Sequence, residues 1–440
     1  MKKSSIIHTN IMKLSKFLPF AFSVVLAGAM CACSDDATQQ LPAKDEPQEQ
    51  EPVKLKDREE IRLNSATKET ANGLKEFYLK FTDDAITYVE NKSDAETSNV
   101  IVSPLSAAFL LGMSANGYPD GEAEKIAQYL SCDKLSELNN LTAILMEKLP
   151  QADNQTVFSL NNSIWINNQY SLSSNFASTM AADYKADTFF EDFNNSTVLL
   201  NKINKWGSEK TDGLIPECIK NLNISSPGIL VNAMLLKSKW ADENKFPVKN
   251  TYKGRFNGRK GEKNVDMMRS SVDMMGSISY NDNFTATWIN LGNKQFNLFL
   301  VLPNEKTPHH TPLTTQDWAE LTSRSYPCKL TVELPKFKIE NKLSLNDILR
   351  IGGLNVLDTP SSLQMFNPAV NAVIRASQSA VFEVEEEGVK AAAISVGEVD
   401  LIAPPLPDED YEIKFNRPFY FFITEYSTQA CILSGYITDL

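Results

Sequence analysis

The stretch Ala380-Val381-Phe382-Glu383-Val384-Glu385-Glu386-Glu387-Gly388-Val389-Lys390-Ala391-Ala392-Ala393-Ile394-Ser395 changes character twice. Val381, Val384 and their neighbours read as a strand, which runs into the turn-forming Glu385-Glu386-Glu387-Gly388. From Val389 to Ser395 the side chains become small and mostly uncharged. A short alanine-rich helical turn or a solvated loop would account for that composition alone. Neither explains why about twenty-six residues separate this strand from the next candidate. They are apolar at Ile394, Val396, Val399, Leu401 and Ile402, while Gly397, Pro404, Pro405 and Pro407 block regular structure. Loops this long inside a folded domain usually carry function.

Upstream of that stretch, Leu74, Phe77, Tyr78, Phe81, Ala85 and Ile86 recur at helical spacing over residues 71–88, and Val100-Ile101-Val102 reads as a short buried strand. Ser103-Pro104 then supplies a cap and a first-turn proline for a helix over residues 105–115. Alternating or β-branched runs come later, over residues 229–236, 296–302, 329–339, 380–385 and 419–425. Helices dominate the first half and strands the second. That order predicts one mixed α+β domain over residues 61–440, with helices around a large central sheet plus smaller sheets, rather than alternating βαβ units.

The composition is that of an ordinary globular protein: 440 residues, 22% charged and 42% hydrophobic. Lys and Arg number 43 against 55 Asp and Glu, and a net charge of −12 repels phosphate, which sets nucleic acid aside as a partner. His8, His309 and His310 are the only imidazoles, so chemistry that needs two separated histidines is nearly excluded. His309-His310 reads as a solvated loop pair. There is no CxxC, and Cys132, Cys218, Cys328 and Cys431 are too scattered for a zinc site. No metal and no cofactor are expected.

At the N-terminus, Lys2, Lys3, Lys13 and Lys16 precede an apolar run over residues 17–30, too short for a stable span but right for a secretory leader. The run ends Met30-Cys31-Ala32-Cys33-Ser34-Asp35-Asp36, which resembles a bacterial lipoprotein processing site. Cys33, preceded by the small Ala32, is the expected lipidated residue, with Cys31 the alternative. The acidic residues behind it are similar to the tract that sends lipoproteins of Bacteroides-like bacteria to the cell surface. Residues 1–33 are thus expected as a leader ending at the lipidated cysteine. Residues 34–60 hold nine acids, four bases and three prolines with few large apolar side chains, and read as a disordered tether. Diacylation would anchor the protein to the outer membrane.

Across residues 65–440 the chain resembles the serpins. The resemblance is carried by Asn99-Val100-Ile101-Val102-Ser103-Pro104-Leu105-Ser106, Ile203-Asn204-Lys205-Trp206 with Thr211-Asp212-Gly213-Leu214-Ile215, Leu230-Val231-Asn232-Ala233 with Lys239-Trp240, Met267-Met268, Leu334-Pro335-Lys336-Phe337 and Phe415-Asn416-Arg417-Pro418-Phe419. It implies the serpin fold, a monomer, and an exposed reactive-centre loop over about residues 388–412. It also implies a covalent suicide mechanism: a target protease cuts the loop, which inserts into the central sheet and deforms the attached protease. The chain itself is then no enzyme, since the nucleophile is the target's.

The resemblance assigns a hinge to Glu386, Glu387, Gly388, Val389, Lys390, Ala391, Ala392 and Ala393. It assigns a buried hydrogen-bonding cluster under the sheet opening to Ser103, Ser106 and Asn232, with Gln378 standing where the family has His. Trp240 and Glu386 match positions where the loop first enters the sheet. Insertion with a period of two from Val389 would turn Val389, Ala391, Ala393 and Ser395 inward and Lys390, Ala392, Ile394 and Val396 outward, so the one charge stays out of the core. Counting from Gly388 places the scissile bond between Ile402 and Ala403, with Leu401 and Val399 as alternatives. No Lys or Arg lies between Lys390 and Lys414, which favours an elastase- or subtilisin-like serine protease as partner, with papain-like cysteine proteases second. Two rivals stand beside this reading: a non-inhibitory serpin-fold surface lipoprotein whose loop is cut without inserting, and a glycan-binding lipoprotein, which would display an exposed aromatic platform.

Overall fold

Leu74, Phe77, Tyr78, Phe81, Ala85 and Ile86 form the buried face of helix α1, Ser65–Glu90. Asn64 caps it, its side-chain oxygen accepting from the Thr67 N–H at 2.9 Å. Ser103 caps α2, Pro104–Ala115, in the same way. Every residue of α2 is buried, because this helix packs on the strand Cys431–Ile437 and on a second sheet as well. A helix apolar all round is what such a two-sided position requires.

The computed structural model describes residues 56–92, 99–271, 274–308, 310–389 and 410–440, all within the unit Pro52–Leu440. Cys31, Cys33 and the tether up to residue 55 lie outside the described residues. The last part of the expected tether, residues 56–60, is held on the body. Gln295, itself fully buried, accepts from the Glu59 N–H at 3.1 Å and donates to its carbonyl at 2.8 Å, and Arg58 stacks on Tyr426. Composition missed this because the contacts are made by backbone groups and by charged side chains and need no apolar side chains in the segment.

Eight α-helices among the described residues surround a ten-stranded sheet, a six-stranded sheet and a small two-stranded one, an α+β architecture. The ten-stranded sheet holds the densest core, with Phe296–Pro303, Phe419–Glu425 and Cys431–Ile437 buried at every residue. The six-stranded sheet is made of β1 (Thr156–Asn167), β2 (Asp187–Glu191), β3 (Gly228–Lys239), β4 (Phe337–Ser344), β5 (Ser377–Glu385) and β6 (Gly388–Val389). Their order is β4-β5-β6-β3-β1-β2, parallel only between β1 and β2.

The single strand expected over residues 329–339 is two. Tyr326–Pro335 belongs to the ten-stranded sheet and β4 to the six-stranded one. Pro335 has no N–H to give the ladder; the Lys336 N–H makes a last bond to the Asp266 carbonyl of the ten-stranded sheet, and Phe337 pairs with Val384 of the six-stranded one. The chain therefore changes sheets at Lys336.

Candidate functional site: a slot in the six-stranded sheet

β5 ends in the acidic run, the chain reverses at Glu386 and Glu387, and Gly388-Val389 returns as β6. Val389 lies opposite Val384 on one side and Ser238 on the other, and it is buried. Gly388 adopts φ +143°, and a Cβ there would run into the Ser238 carbonyl and the Lys239 backbone. Only glycine fits both the conformation and the approach.

Three contacts fix this entrance. The Trp240 indole N–H donates to the Glu385 carbonyl at 2.9 Å, and its ring is buried against Phe246. Lys336 Nζ lies 2.6 Å from Glu386 Oε2, and the Thr251 hydroxyl donates to Glu386 Oε1 at 2.9 Å. Burial would raise the Glu386 carboxyl, but the hydrogen bonds from Lys336, from its own backbone N–H and from Thr251 outweigh it and hold the group below its ordinary value. Under Val389, Ser238 is fully buried and its hydroxyl meets that of Thr156 at 2.6 Å, which in turn donates to Asp153 at 2.5 Å.

Below β6 the sheet is parted. Among the described residues no ladder joins β3 to β5; each is paired only on its outer side, β3 with β1 and β5 with β4. A cleft runs between them, lined by Ser103, Ser106, Asn232, Leu236, Gln378 and Ala380. At its far end a larger cleft opens between Ile229, Phe366 and Ile374. Two facing strands with unpaired edges need a strand, or water, to satisfy their backbone groups.

Of the four residues expected in a polar cluster, the structure brings three into hydrogen-bonding contact. Ser103 Oγ donates to Ser106 Oγ at 2.9 Å. The Ser103 N–H donates to Gln378 Oε1 at 2.8 Å, and Gln378 Nε2 donates back to the Ser103 carbonyl at 2.9 Å. Asn232 lines the same cleft but bonds elsewhere, donating to Asn162 Oδ1 at 2.8 Å. It sits on β3, across the opening, so the cluster is divided by the slot.

Beyond the loop the chain resumes as the strand Asp410–Lys414, parallel to Tyr326–Pro335. Lys414 is 3.3 Å from the buried carboxylate of Glu333, which also takes a bond from Tyr252 at 2.7 Å and pairs with Arg269. Lys390, Ala391, Ala392, Ala393, Val399, Leu401, Ile402 and Ala403 lie outside the described residues. Trp165, Trp206 and Trp240 are buried, which leaves no platform for a glycan on those rings. Sequence reading missed Thr251, Lys336, Thr156 and Glu333 as partners; a lysine at the break between two apolar runs was the one available signal.

The chain belongs to the serpin family: the family described as serpin, serine protease inhibitor, matches residues 80–440. It is thus a member of a class of protease inhibitors. It is 27% identical over 367 residues to a leukocyte elastase inhibitor of Xenopus laevis, covering 79% of this chain and 93% of that one. It is 26% identical over 359 residues to human alpha-1-antichymotrypsin, covering 78% and 83%. Among solved structures, the thermophilic serpin tengpin in its native state superposes with a TM-score of 0.71 at 24% identity, covering 88% of this chain and 98% of that one, a likeness of fold.

Proposed function

We propose that this protein is an exported, lipid-anchored, single-turnover trap for endopeptidases. The carrying observation is the seat of Val389, between two strands that do not pair with each other below it. Continuing that register is simple. Val389 faces Ser238, and β3 extends ten residues further to Gly228, so the loop can pair with β3 as far as Val399. Val389 also faces Val384, and β5 extends seven further to Ser377, so both sides are paired as far as Val396. With Val389 inward, Ala391, Ala393, Ser395, Gly397 and Val399 follow it into the core. All are small, and the charged Lys390 and Glu398 fall in the outward set.

The target's nucleophile attacks the carbonyl of Ile402, or of Leu401 or Val399, and the peptide nitrogen leaves with a proton. The acyl-enzyme then remains on a strand freed to enter the slot. Insertion satisfies the free edges of β3 and β5 and carries the attached protease with it before water can release it. Val399, Leu401 and Ile402 suit an apolar pocket, so elastase- and subtilisin-like serine proteases are the favoured targets and papain-like cysteine proteases the second. The relatives named for leukocyte elastase and for antichymotrypsin activity support that preference.

The anchor is the diacylated Cys33, or Cys31, with the segment from residue 34 to residue 55 as tether, the body that follows as inhibitor and the outer-membrane surface as location. The test is incubation with an elastase-like protease. An SDS-resistant adduct, cut after Ile402 or Leu401 by mass spectrometry, supports the trap. Clean cleavage without adduct by elastase-, subtilisin- and papain-like enzymes alike would leave a serpin fold used for binding only.

A further inference from the structure

The sequence reading treats His310 as half of a solvated pair, but its side chain is only 16% exposed. His309 lies outside the described residues. His310 comes after the strand Phe296–Pro303 and precedes the helix Thr315–Ser323. Its Nδ1 lies 2.8 Å from Glu90 Oε2 and its Nε2 lies 2.9 Å from Asp83 Oδ1. Both carboxylates stand on α1, two turns apart on one face. A neutral imidazole has one N–H, so one ring nitrogen would then point a lone pair at a carboxylate oxygen. Only the imidazolium can donate to both.

The remaining neighbours complete the charge balance. Arg259, in the turn between Tyr252–Gly258 and Gly261–Arg269, pairs with Glu90 at 2.5 Å. Tyr436, from the strand Cys431–Ile437, has its ring 6.3 Å from the imidazole. Tyr420, from Phe419–Glu425, stacks on Tyr436 and donates to the Thr311 carbonyl at 2.9 Å. Burial raises both phenols, so they stay neutral through the physiological range. The charged members are then Asp83 and Glu90 against Arg259 and His310, and the cluster balances only when His310 carries its proton. Burial alone would lower the imidazole, but the two carboxylates outweigh it and raise His310 above its ordinary 6.5.

We propose that His310 is a proton-operated clamp: protonated, it fastens the segment leading into helix Thr315–Ser323 to α1, and it lets go as the solution turns alkaline. α1 packs on the strand Cys431–Ile437 that carries Tyr436, and the segment holding His310 follows the strand Phe296–Pro303, so the clamp ties the first long helix to the ten-stranded sheet. Linkage fixes the sign: a folded-state value above the unfolded one gives stability that is complete below about pH 6.5 and lost as pH rises through the folded value. The clamp is independent of whether the loop traps proteases.

The test uses the full chain, whose three histidines make imidazole NMR simple to assign. We expect one imidazole titrating above the free value, and absent in His310→Gln. The unfolding midpoint should fall between about pH 6 and about pH 9 in the wild type but much less in His310→Gln. In Asp83→Asn the new amide can donate to a neutral ring, so the slope should flatten while the fold is kept. A His310 titration at or below 6.5, or a His310→Gln profile that overlays the wild type, would overturn the clamp. The titration stands even if a variant fails to fold.

Discussion

Lys336 Nζ and the Glu386 carboxylate meet at 2.6 Å across the mouth of the slot. Lys336 is where the chain passes from the ten-stranded to the six-stranded sheet, and Glu386 is in the turn that sends β6 back between β5 and β3. One ion pair thus joins the crossover between sheets to the start of the loop. Trp240, bonded to the Glu385 carbonyl, holds the same turn from the β3 side.

Removing one partner should therefore loosen the entrance. The Glu386 side chain is 11% exposed and that of Lys336 is 35% exposed, so solvent screens the lysine side and the loss falls short of that for a fully buried pair. Lys336→Ala is expected to cost the uncut protein about 1–2 kcal/mol. Glu386→Gln should cost less, because Thr251 can still donate to the amide oxygen. Denaturant unfolding measures both; equal stability of Lys336→Ala and wild type would show that the pair holds nothing.

The same pair sets a pH dependence. Burial would raise Glu386, yet the donors around it leave it lowered from 4.5. A depressed carboxylate contributes stability that is present above its unfolded value and lost as pH falls through its folded one. Wild type should lose more stability than Glu386→Gln on going from about pH 5 to about pH 3. Parallel acid profiles would contradict the assignment. This branch opposes the alkaline loss expected at His310, so the two are separable in one pH series.

The range of each signal decides how much of the fold and site is legible in the sequence. Helix α1 and the strand Phe419–Glu425 are readable because their apolar spacing and composition are local. The break at Lys336 is not, since Pro335 in an apolar run looks like one continuous strand until the ladders are known. Three residues of the expected polar cluster meet in hydrogen bonds, but Asn232 turns toward Asn162 because the slot lies between it and Ser103. His310 is misread for a related reason: its two carboxylates come from α1, more than two hundred residues away in the chain.

Gly388 offers a steric test of the seat of β6. Its φ of +143° and the closeness of the Ser238 carbonyl exclude a side chain. Gly388→Val should push Val389 out of the slot. Backbone amides of Ser238 and Lys239 should then exchange with solvent at least about tenfold faster. Unchanged protection would mean that β6 is not held where it lies.

Gln378 tests the polar cluster. Its side chain satisfies both the N–H and the carbonyl of Ser103, at the start of α2, and Ser103 is buried. Gln378→Ala strands the N–H, while the carbonyl keeps the helical bond from the Ala107 N–H at 3.0 Å, and is expected to cost about 1–3 kcal/mol. Gln378→His, which can still donate and accept, should recover part of that and add a pH dependence near neutrality that the wild-type amide cannot have. Thermal unfolding at two pH values separates these outcomes.

The register of β6 makes its sharpest demand on two adjacent alanines. If the strand continues from the buried Val389 with a period of two, Ala391 enters the core and Ala392 faces out. A carboxylate carried inward must be neutralised or left unpaired, at a cost of several kcal/mol, while the same group carried outward stays in water. In the proposed trap, insertion competes with hydrolysis of the acyl-enzyme, so slowing it would turn an inhibitor into a substrate. Ala391→Asp should therefore be cut normally yet yield at least about tenfold less SDS-stable adduct, a factor that about 1.4 kcal/mol on the insertion barrier would give. Ala392→Asp should trap nearly as wild type does. Titrating a fixed amount of protease with each variant measures the partition. Equal loss in both would refute the alternation, and the reverse order would mean that insertion runs one residue out of the register seen at Val389.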